Sequence, residues 1–309
     1  MSSSGSKKIV VAALIGNGLI AITKFVASFY TGSSAMVSEG IHSTVDTCNQ
    51  ALLLYGMQRS MRPADKAHPF GYAREIFFWA FVVAILIFAV GAGASVYEGI
   101  NKLSNPTPVT NAFINYIVLG LALVFETCAW WMALCEFKLV KGKMGYFEAT
   151  RKSKDPALFT VLFEDTAAMI GIVVAFLGIF LGEIFNLPWM DAVASIIIGV
   201  ILAIVASLLA YECKGLLVGE SASDEVVESI HKLINKHSPS STINELLTMQ
   251  LGPNDILVNI SLDFSADLSA VEVERDISNL ETKIKSTHEE VKRVFIEAQS
   301  FSAHLRQLK

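Results

Sequence analysis

Six long apolar stretches fill the first two thirds of the chain, and they constrain its fold more than any other feature. A helix rises 1.5 Å per residue, so about 20 apolar residues cross the hydrocarbon core of a bilayer. The stretches are Ile9–Tyr30, Ser34–Met57, Ile76–Gly99, Ala112–Phe137, Ala157–Leu181 and Trp189–Tyr211. Turn signals such as Thr31-Gly32-Ser33-Ser34 and Asn105-Pro106-Thr107-Pro108 separate them. Hydrophobic residues make up 53% of the chain and charged ones 17%, against about 25% charge in soluble domains. The excess apolar content stops near residue 211, after which the sequence has ordinary soluble character. The expected organisation is a six-helix transmembrane domain over 1–211 and a soluble domain over 212–309.

Basic residues in the connections set an orientation. Arg59, Arg62, Lys66 and Arg74 follow the second stretch, and Lys138, Lys141, Lys143, Arg151, Lys152 and Lys154 follow the fourth. Lys7 and Lys8 precede the first stretch, while the three opposite connections hold only Lys102. Both termini are therefore expected in the cytoplasm. The chain starts with no transit-peptide pattern, which points to a bacterial inner membrane; an organelle membrane is the alternative if the N-terminus has been trimmed.

The soluble part has an α-β-β-α-β pattern. Ser221 with Asp224 suggests a helix start, and the helix would run to about Lys236. Ile243–Leu251 and the alternating run from Ile256 to Phe264 suggest two strands, joined by the turn residues Gly252-Pro253-Asn254-Asp255. Val273, Ile277, Leu280 and Ile284 mark a second helix, and Val291–Ala298 a third strand. This is a small α+β, ferredoxin-like domain of αββαβ order. Such a domain commonly leaves one face open for pairing, so a homodimer is expected. No basic stripe is present, and the net charge is -5, so nucleic acid is not an expected partner. Cys48, Cys128, Cys135 and Cys213 match no metal or disulfide spacing and are expected to be buried free thiols.

Ionisable groups inside a bilayer cost several kcal/mol on common scales, so each one is a candidate functional residue. Glu39, His42, Asp46 and Asn49 are spaced 3, 4 and 3 along the second stretch, which puts them on one helical stripe. His42 and Asp46 lie one turn apart and form a two-ligand platform for a borderline metal such as Zn²⁺. The alternative is a polar stripe that merely faces other helices. The fifth stretch supplies Glu164 and Asp165. Asp165 lies about 12 Å and Asp46 about 16 Å from the same side of the membrane, so the two could meet. Neighbouring residues point about 100° apart, so Asp165 is the better ligand. Glu164 is then a fourth ligand, a support from behind or a proton carrier. Glu126, in mid-span of the fourth stretch, suits proton coupling or a buried hydrogen bond. Glu39 and Asn49 belong with it as groups for proton coupling or for supporting the ligands, and Lys24 is placed to pair with Glu39. Gly178 and Gly182 form a GxxxG, a close-packing signal.

Together these residues resemble the cation diffusion facilitator family. Ser38-Glu39-Gly40-Ile41-His42-Ser43-Thr44-Val45-Asp46 is similar to its span-two HxxxD segment. His68-Pro69-Phe70-Gly71-Tyr72-Ala73-Arg74-Glu75 is similar to its signature before span three, and Asp191-Ala192-Val193-Ala194-Ser195-Ile196 to its span-six opening. In span five the family's HxxxD histidine falls on Val161, and Leu162-Phe163-Glu164-Asp165-Thr166-Ala167-Ala168 resembles instead the mitochondrial zinc transporter branch. In the soluble part Glu274 and Glu297 stand where other members carry histidine, which implies reduced or absent regulatory metal sites there.

The resemblance implies a homodimeric antiporter that exports a divalent metal from the cytoplasm against protons by alternating access. Its cargo would be Zn²⁺, or else Mn²⁺, Fe²⁺ or Co²⁺, with His42, Asp46, Asp165 and Glu164 as the metal residues. Proton and metal compete for such a site because a ligand must be unprotonated to bind, and an imidazole ordinarily titrates near pH ~6.5. No resident cofactor is expected. An enzyme is not expected either: His42 is the one histidine within a span, and no HExxH occurs. A membrane scaffold with a cytoplasmic interaction domain is the remaining alternative, and it leaves the acidic residues at matching depths unexplained.

Overall fold

The computed structural model describes residues 3–141, 145 and 154–307. Of the basic residues used for orientation, Lys143, Arg151 and Lys152 lie outside the described residues, as do the side chains of Lys7, Lys8 and Lys141. The described chain forms two compact units, one of Met1–Met61 with Glu75–Lys214 and one of Arg62–Arg74 with Gly215–Lys309.

The first unit holds six long helices: α1 (Ser3–Thr31), α2 (Ser34–Ser60), α3 (Glu75–Ser104), α4 (Ala112–Lys141), α5 (Pro156–Ile184) and α6 (Trp189–Val218). Among the described residues, Glu75–Ser104, Ala112–Cys135, Phe159–Ile184 and Trp189–Val218 are long and apolar enough to cross a membrane. α1 and α2 match them in length, at 29 and 27 residues. α2 falls short in apolarity because Ser38, Glu39, His42, Ser43, Asp46 and Asn49 are all buried along it. Large apolar side chains such as Phe29, Tyr97, Phe113, Phe125 and Ile204 are exposed on the other helices. In a bundle of this composition such faces are the ones lipid covers.

Local chemistry sets the joints. Gly32 ends α1 with φ +67°, a left-handed conformation that suits glycine, and its N–H donates to Ser28 O at 2.8 Å. Ser33 then caps α2, its hydroxyl accepting from the Met36 N–H at 3.2 Å. α5 starts at Pro156, where a missing N–H breaks no helical bond. A π-helical turn over Ile87–Ala92 interrupts α3, and no sequence pattern signalled it.

α2 packs on α1, α3 and α5, and α4 packs on α5. Backbones approach closely around α6. A Cβ added at Gly99 of α3 would lie 2.6 Å from Ile196 Cγ1 and 2.8 Å from Ala192 O, and a Cβ added at Gly178 of α5 would collide with Ala194 Cβ. The GxxxG signal thus marks the α5–α6 contact. The four cysteines are free, but Cys48, Cys128 and Cys135 are exposed and Cys213 alone is buried. Helices apolar on most of their faces leave some of those residues on the outside of the bundle.

The second unit contains α7 (Asp224–His237), β1 (Ser241–Gly252), β2 (Asp255–Phe264), α8 (Ala270–Thr287), β3 (Val291–Ala298) and α9 (Phe301–Gln307). The sheet runs β1-β2-β3. β1 pairs antiparallel with β2, with Leu246 opposite Ile260, and β2 pairs parallel with β3. Ile256, Val258, Ile260 and Leu262 of β2 meet Ile230 and Ile234 of α7 and Leu280 and Ile284 of α8 in one core. The αββαβ order is as expected, with α9 added. Ser223, not Ser221, stands at the N-cap position of α7, with no side-chain capping bond, while the Ser221 hydroxyl pairs with the Thr248 hydroxyl at 2.7 Å. α8 carries a full capping box between Ser269 and Glu272.

Residues 62–74, which link α2 to α3, group with this second unit, a division not drawn from the sequence. The Arg293 guanidinium donates to Pro69 O at 2.9 Å and lies 5.1 Å from the Phe70 ring centre. Arg74 Nη2 lies 2.6 Å from Met249 Sδ. Asp65 ties the loop together, accepting from the Tyr72 hydroxyl at 2.7 Å and from the His68 and Ala67 N–H groups at 2.7 and 2.9 Å.

Candidate functional site

The 3-4-3 spacing on α2 places Glu39, His42, Asp46 and Asn49 on one buried stripe, at 0%, 2%, 8% and 0% exposure. His42 Nε2 lies 3.3 Å from Asp46 Oδ2 across one helical turn. Among the described residues neither ring nitrogen of His42 has a hydrogen-bond partner, and neither has Asp46 Oδ1 or Asp165 Oδ2. Buried polar atoms are usually satisfied within a fold, so these four atoms on α2 and α5 are candidates for binding a ligand.

α5 brings Glu164 and Asp165 to the same region, both buried. The two differ as their adjacency on a helix requires. Asn49 Nδ2 donates to Glu164 Oε1 at 2.9 Å, across the α2–α5 contact. Glu164 is thus held by α2, whereas Asp165 keeps a free oxygen. Glu126 of α4 is buried as well. Glu164, Glu126 and Asp165 all lie near enough to Asp46 to act on it electrostatically, and Glu126 also acts on Asp165. Among the described residues, however, no three His, Cys, Asp or Glu side chains converge closely enough to hold one ion between them. His42 and Asp46 form a pair, and Glu164, bonded to Asn49, acts on Asp46 ahead of Glu126 and Asp165.

Val161, the position of the histidine that span five lacks, packs with Ala133, Leu134, Leu162 and Trp130. It is part of an apolar contact between α4 and α5. Trp130 Nε1 donates to Thr166 Oγ1 at 3.0 Å beside it.

Lys24 of α1 pairs with Glu39 as expected. Its ammonium donates to Glu39 Oε2 and to Ser43 Oγ, both at 2.8 Å, and both charged side chains are fully buried. Sequence reasoning missed Ser43 as the second acceptor. It also left Asp191 without a role. Asp191 Oδ1 accepts from the Ser33 hydroxyl at 2.5 Å, and Oδ2 from the Ser34 N–H and hydroxyl at 2.6 and 2.9 Å. Lys102 Nζ lies 3.4 Å from Asp191 Oδ2 and donates to Gly32 O. The carboxylate at the start of α6 therefore holds the positive N-terminal end of α2, the helix with the candidate ligands. The Ser38 and Ser195 hydroxyls pair one turn further in. The serines at the start of α2 were the available signal, since two exposed backbone donors and two hydroxyls ask for an acidic partner.

A family model described as the cation efflux transmembrane domain matches residues 10–218. The human protein named proton-coupled zinc antiporter SLC30A9, mitochondrial, is 33% identical over 263 residues, which cover 84% of this chain and 46% of that protein. Metal tolerance protein C4 of Arabidopsis thaliana is 28% identical over 265 residues, 85% of this chain and 58% of that protein. The manganese efflux system protein MneS of Bacillus subtilis is 22% identical over 272 residues, 87% of each chain. The chain spans about half the length of the human relative. With its long apolar helices and a family match over most of its length, the chain is an integral membrane protein that belongs to the cation efflux family, a family of transporters and not of enzymes.

Proposed function

We propose that the chain carries a divalent metal cation across its membrane, with Zn²⁺ as cargo, in exchange for protons. The observation that carries this reading is the His42–Asp46 pair, buried on α2 with three polar atoms that have no hydrogen-bond partner among the described residues. An imidazole and a carboxylate one turn apart suit zinc. Asp165 supplies the next ligand from α5. Because no three ligands converge among the described residues, binding there requires α5 and α2 to close on the ion. A site that closes from one side and opens to the other is what alternating access needs.

Protons compete with the metal, because each ligand must give up its proton to bind. Glu126 and Glu164 are the groups suited to hand protons to and from the site, since Glu39 is paired with Lys24. The human relative's name states a proton-coupled zinc antiporter, which supports both the cargo and the coupling. A manganese cargo is the second reading. It rests on the carboxylates that outnumber the single imidazole around the site and on the manganese efflux name of the Bacillus relative.

The basic connections favour cytoplasmic termini, and export from the cytoplasm is the direction proposed with them. A bacterial inner membrane is the proposed location, with a mitochondrial membrane as the alternative suggested by the human relative. A homodimer is proposed through the second unit, supported by Leu247, Phe295, Phe301 and Leu305, apolar side chains exposed on its surface.

The test is cation uptake by proteoliposomes holding the purified full chain, with Zn²⁺ and Mn²⁺ offered in turn and the pH gradient imposed in either direction. Uptake that follows the gradient supports the reading. No uptake of any divalent cation in either direction overturns it.

A further inference from the structure

Lys24 is unusual even for this bundle. It is a lysine with no exposure, on a helix that carries none of the candidate ligands. Its ammonium makes two bonds of 2.8 Å, to Glu39 Oε2 and Ser43 Oγ on α2. Glu39 stands three residues from His42, so the two are neighbours on one helix face. The other oxygen of Glu39 has no partner among the described residues. It points across to α5, where a Cβ added at Gly171 would lie 2.6 Å from it. Glu39 thus reaches from the helix of His42 and Asp46 to the helix of Glu164 and Asp165, with one oxygen bound and one bare. Lys24 also lies near enough to His42, Asp46 and Glu126 to act on them electrostatically.

We propose that Lys24 is a positioning residue that decides which metal the site accepts: its ammonium holds Glu39 out of the cargo shell. This rests on the divalent-cation reading above. With Glu39 neutralised, the ion meets one imidazole and the carboxylates of Asp46 and Asp165, with Glu164 and Glu126 nearby. Without the ammonium, Glu39 is a buried carboxylate with no counter-ion beside His42. Such a group must be neutralised, by a proton or by a cation that it ligates, and here the cargo competes with the proton for it. It would add a carboxylate oxygen to the ligand set, and oxygen-rich sites favour Mn²⁺ over Zn²⁺ relative to sites in which an imidazole dominates.

The test is the ratio of Zn²⁺ to Mn²⁺ uptake, measured on the same proteoliposome preparation for each variant. A loss of folded protein lowers both rates together and leaves the ratio alone, so a purely structural role for Lys24 does not move it. Lys24→Met and Lys24→Gln are both made; the second is one atom shorter than lysine but keeps an N–H donor and loses the charge, so it covers the case in which the first fails to fold. The ratio is expected to fall about tenfold in either, the usual scale for altering a group that supports a metal site from behind. Lys24→Arg, which keeps the charge, and Lys24→Met with Glu39→Gln, which removes both partners, should return it to the wild-type value. A wild-type ratio in a folded Lys24→Met or Lys24→Gln protein overturns the proposal, as does a shifted ratio in the double variant. Failure of the wild type to carry any divalent cation would instead overturn the transport reading on which the proposal stands.

Discussion

Asn49 donates its side-chain amide to Glu164 Oε1 at 2.9 Å, joining the helix that carries His42 and Asp46 to the helix that carries Asp165. The bond spans 115 residues of sequence and sets the carboxylate of Glu164 apart from that of its neighbour. Asn49→Leu removes the donor and leaves a buried acceptor bare. Metal uptake by this variant should fall about 10–100-fold, with less loss in Asn49→Gln. Equal uptake by Asn49→Leu and wild type would show that Glu164 needs no tether.

The contact between α3 and α6 tests the packing. A Cβ at Gly99 meets the Ala192 carbonyl oxygen at 2.8 Å, and one at Gly199 meets the Ala92 carbonyl oxygen at 3.0 Å. Backbone cannot rotate away as a long side chain can. Gly99→Ala should therefore destabilise the protein by about 1–3 kcal/mol, the scale of overpacking, with Gly199→Ala no worse. Thermal unfolding in detergent reads this, and an unchanged transition for Gly99→Ala would contradict the packing described.

Asp191 holds the start of α2 through Ser33 and Ser34 and faces Lys102. Asp191→Ala removes one partner of a buried ion pair and bares the helix end together. The cost should be about 3–5 kcal/mol, seen as a lowered unfolding temperature in detergent. Asp191→Asn, which can still accept from Ser34, should cost less.

The loop of residues 62–74 should be sensitive to acid. The hydrogen bond from the Tyr72 hydroxyl, followed by that from the His68 N–H, holds the Asp65 carboxyl below its ordinary value of 3.8. A depressed folded-state value means that Asp65 stabilises the loop above its unfolded value and ceases to do so as the pH falls through the folded one. Amide exchange at Ala67 and His68, corrected for intrinsic rates, should show constant protection down to about pH 5 and a loss below the ordinary value of a carboxyl. Protection that persists in Asp65→Asn would sever the loop's order from this carboxylate.

The helices were legible because a bilayer leaves a chain few options, and β2 was legible because a half-buried strand alternates. The α2 stripe could be read from spacing alone, as could the pairing of Lys24 with Glu39, since two buried charges of opposite sign on neighbouring helices must meet. Other features depend on contacts that no local pattern encodes. Arg293 and Pro69 are 224 residues apart, and neither residue advertises the other, so the grouping of residues 62–74 with the second unit stayed hidden. Ser221 and Ser223 are equally good helix starts by type. Ser221 turns instead to the Thr248 hydroxyl, a partner that lies 27 residues away and that no local pattern reveals. The fate of Glu164 was left open by sequence because the choice turns on a single amide from another helix.

The most direct test of the account is Zn²⁺ uptake under an imposed pH gradient, comparing wild type with His42→Ala and Asp46→Asn at matched amounts of folded protein. The account predicts gradient-driven uptake in wild type that drops to the level of empty vesicles in both variants. Gradient-driven uptake that survives in either variant would contradict the assignment of the cargo site to α2.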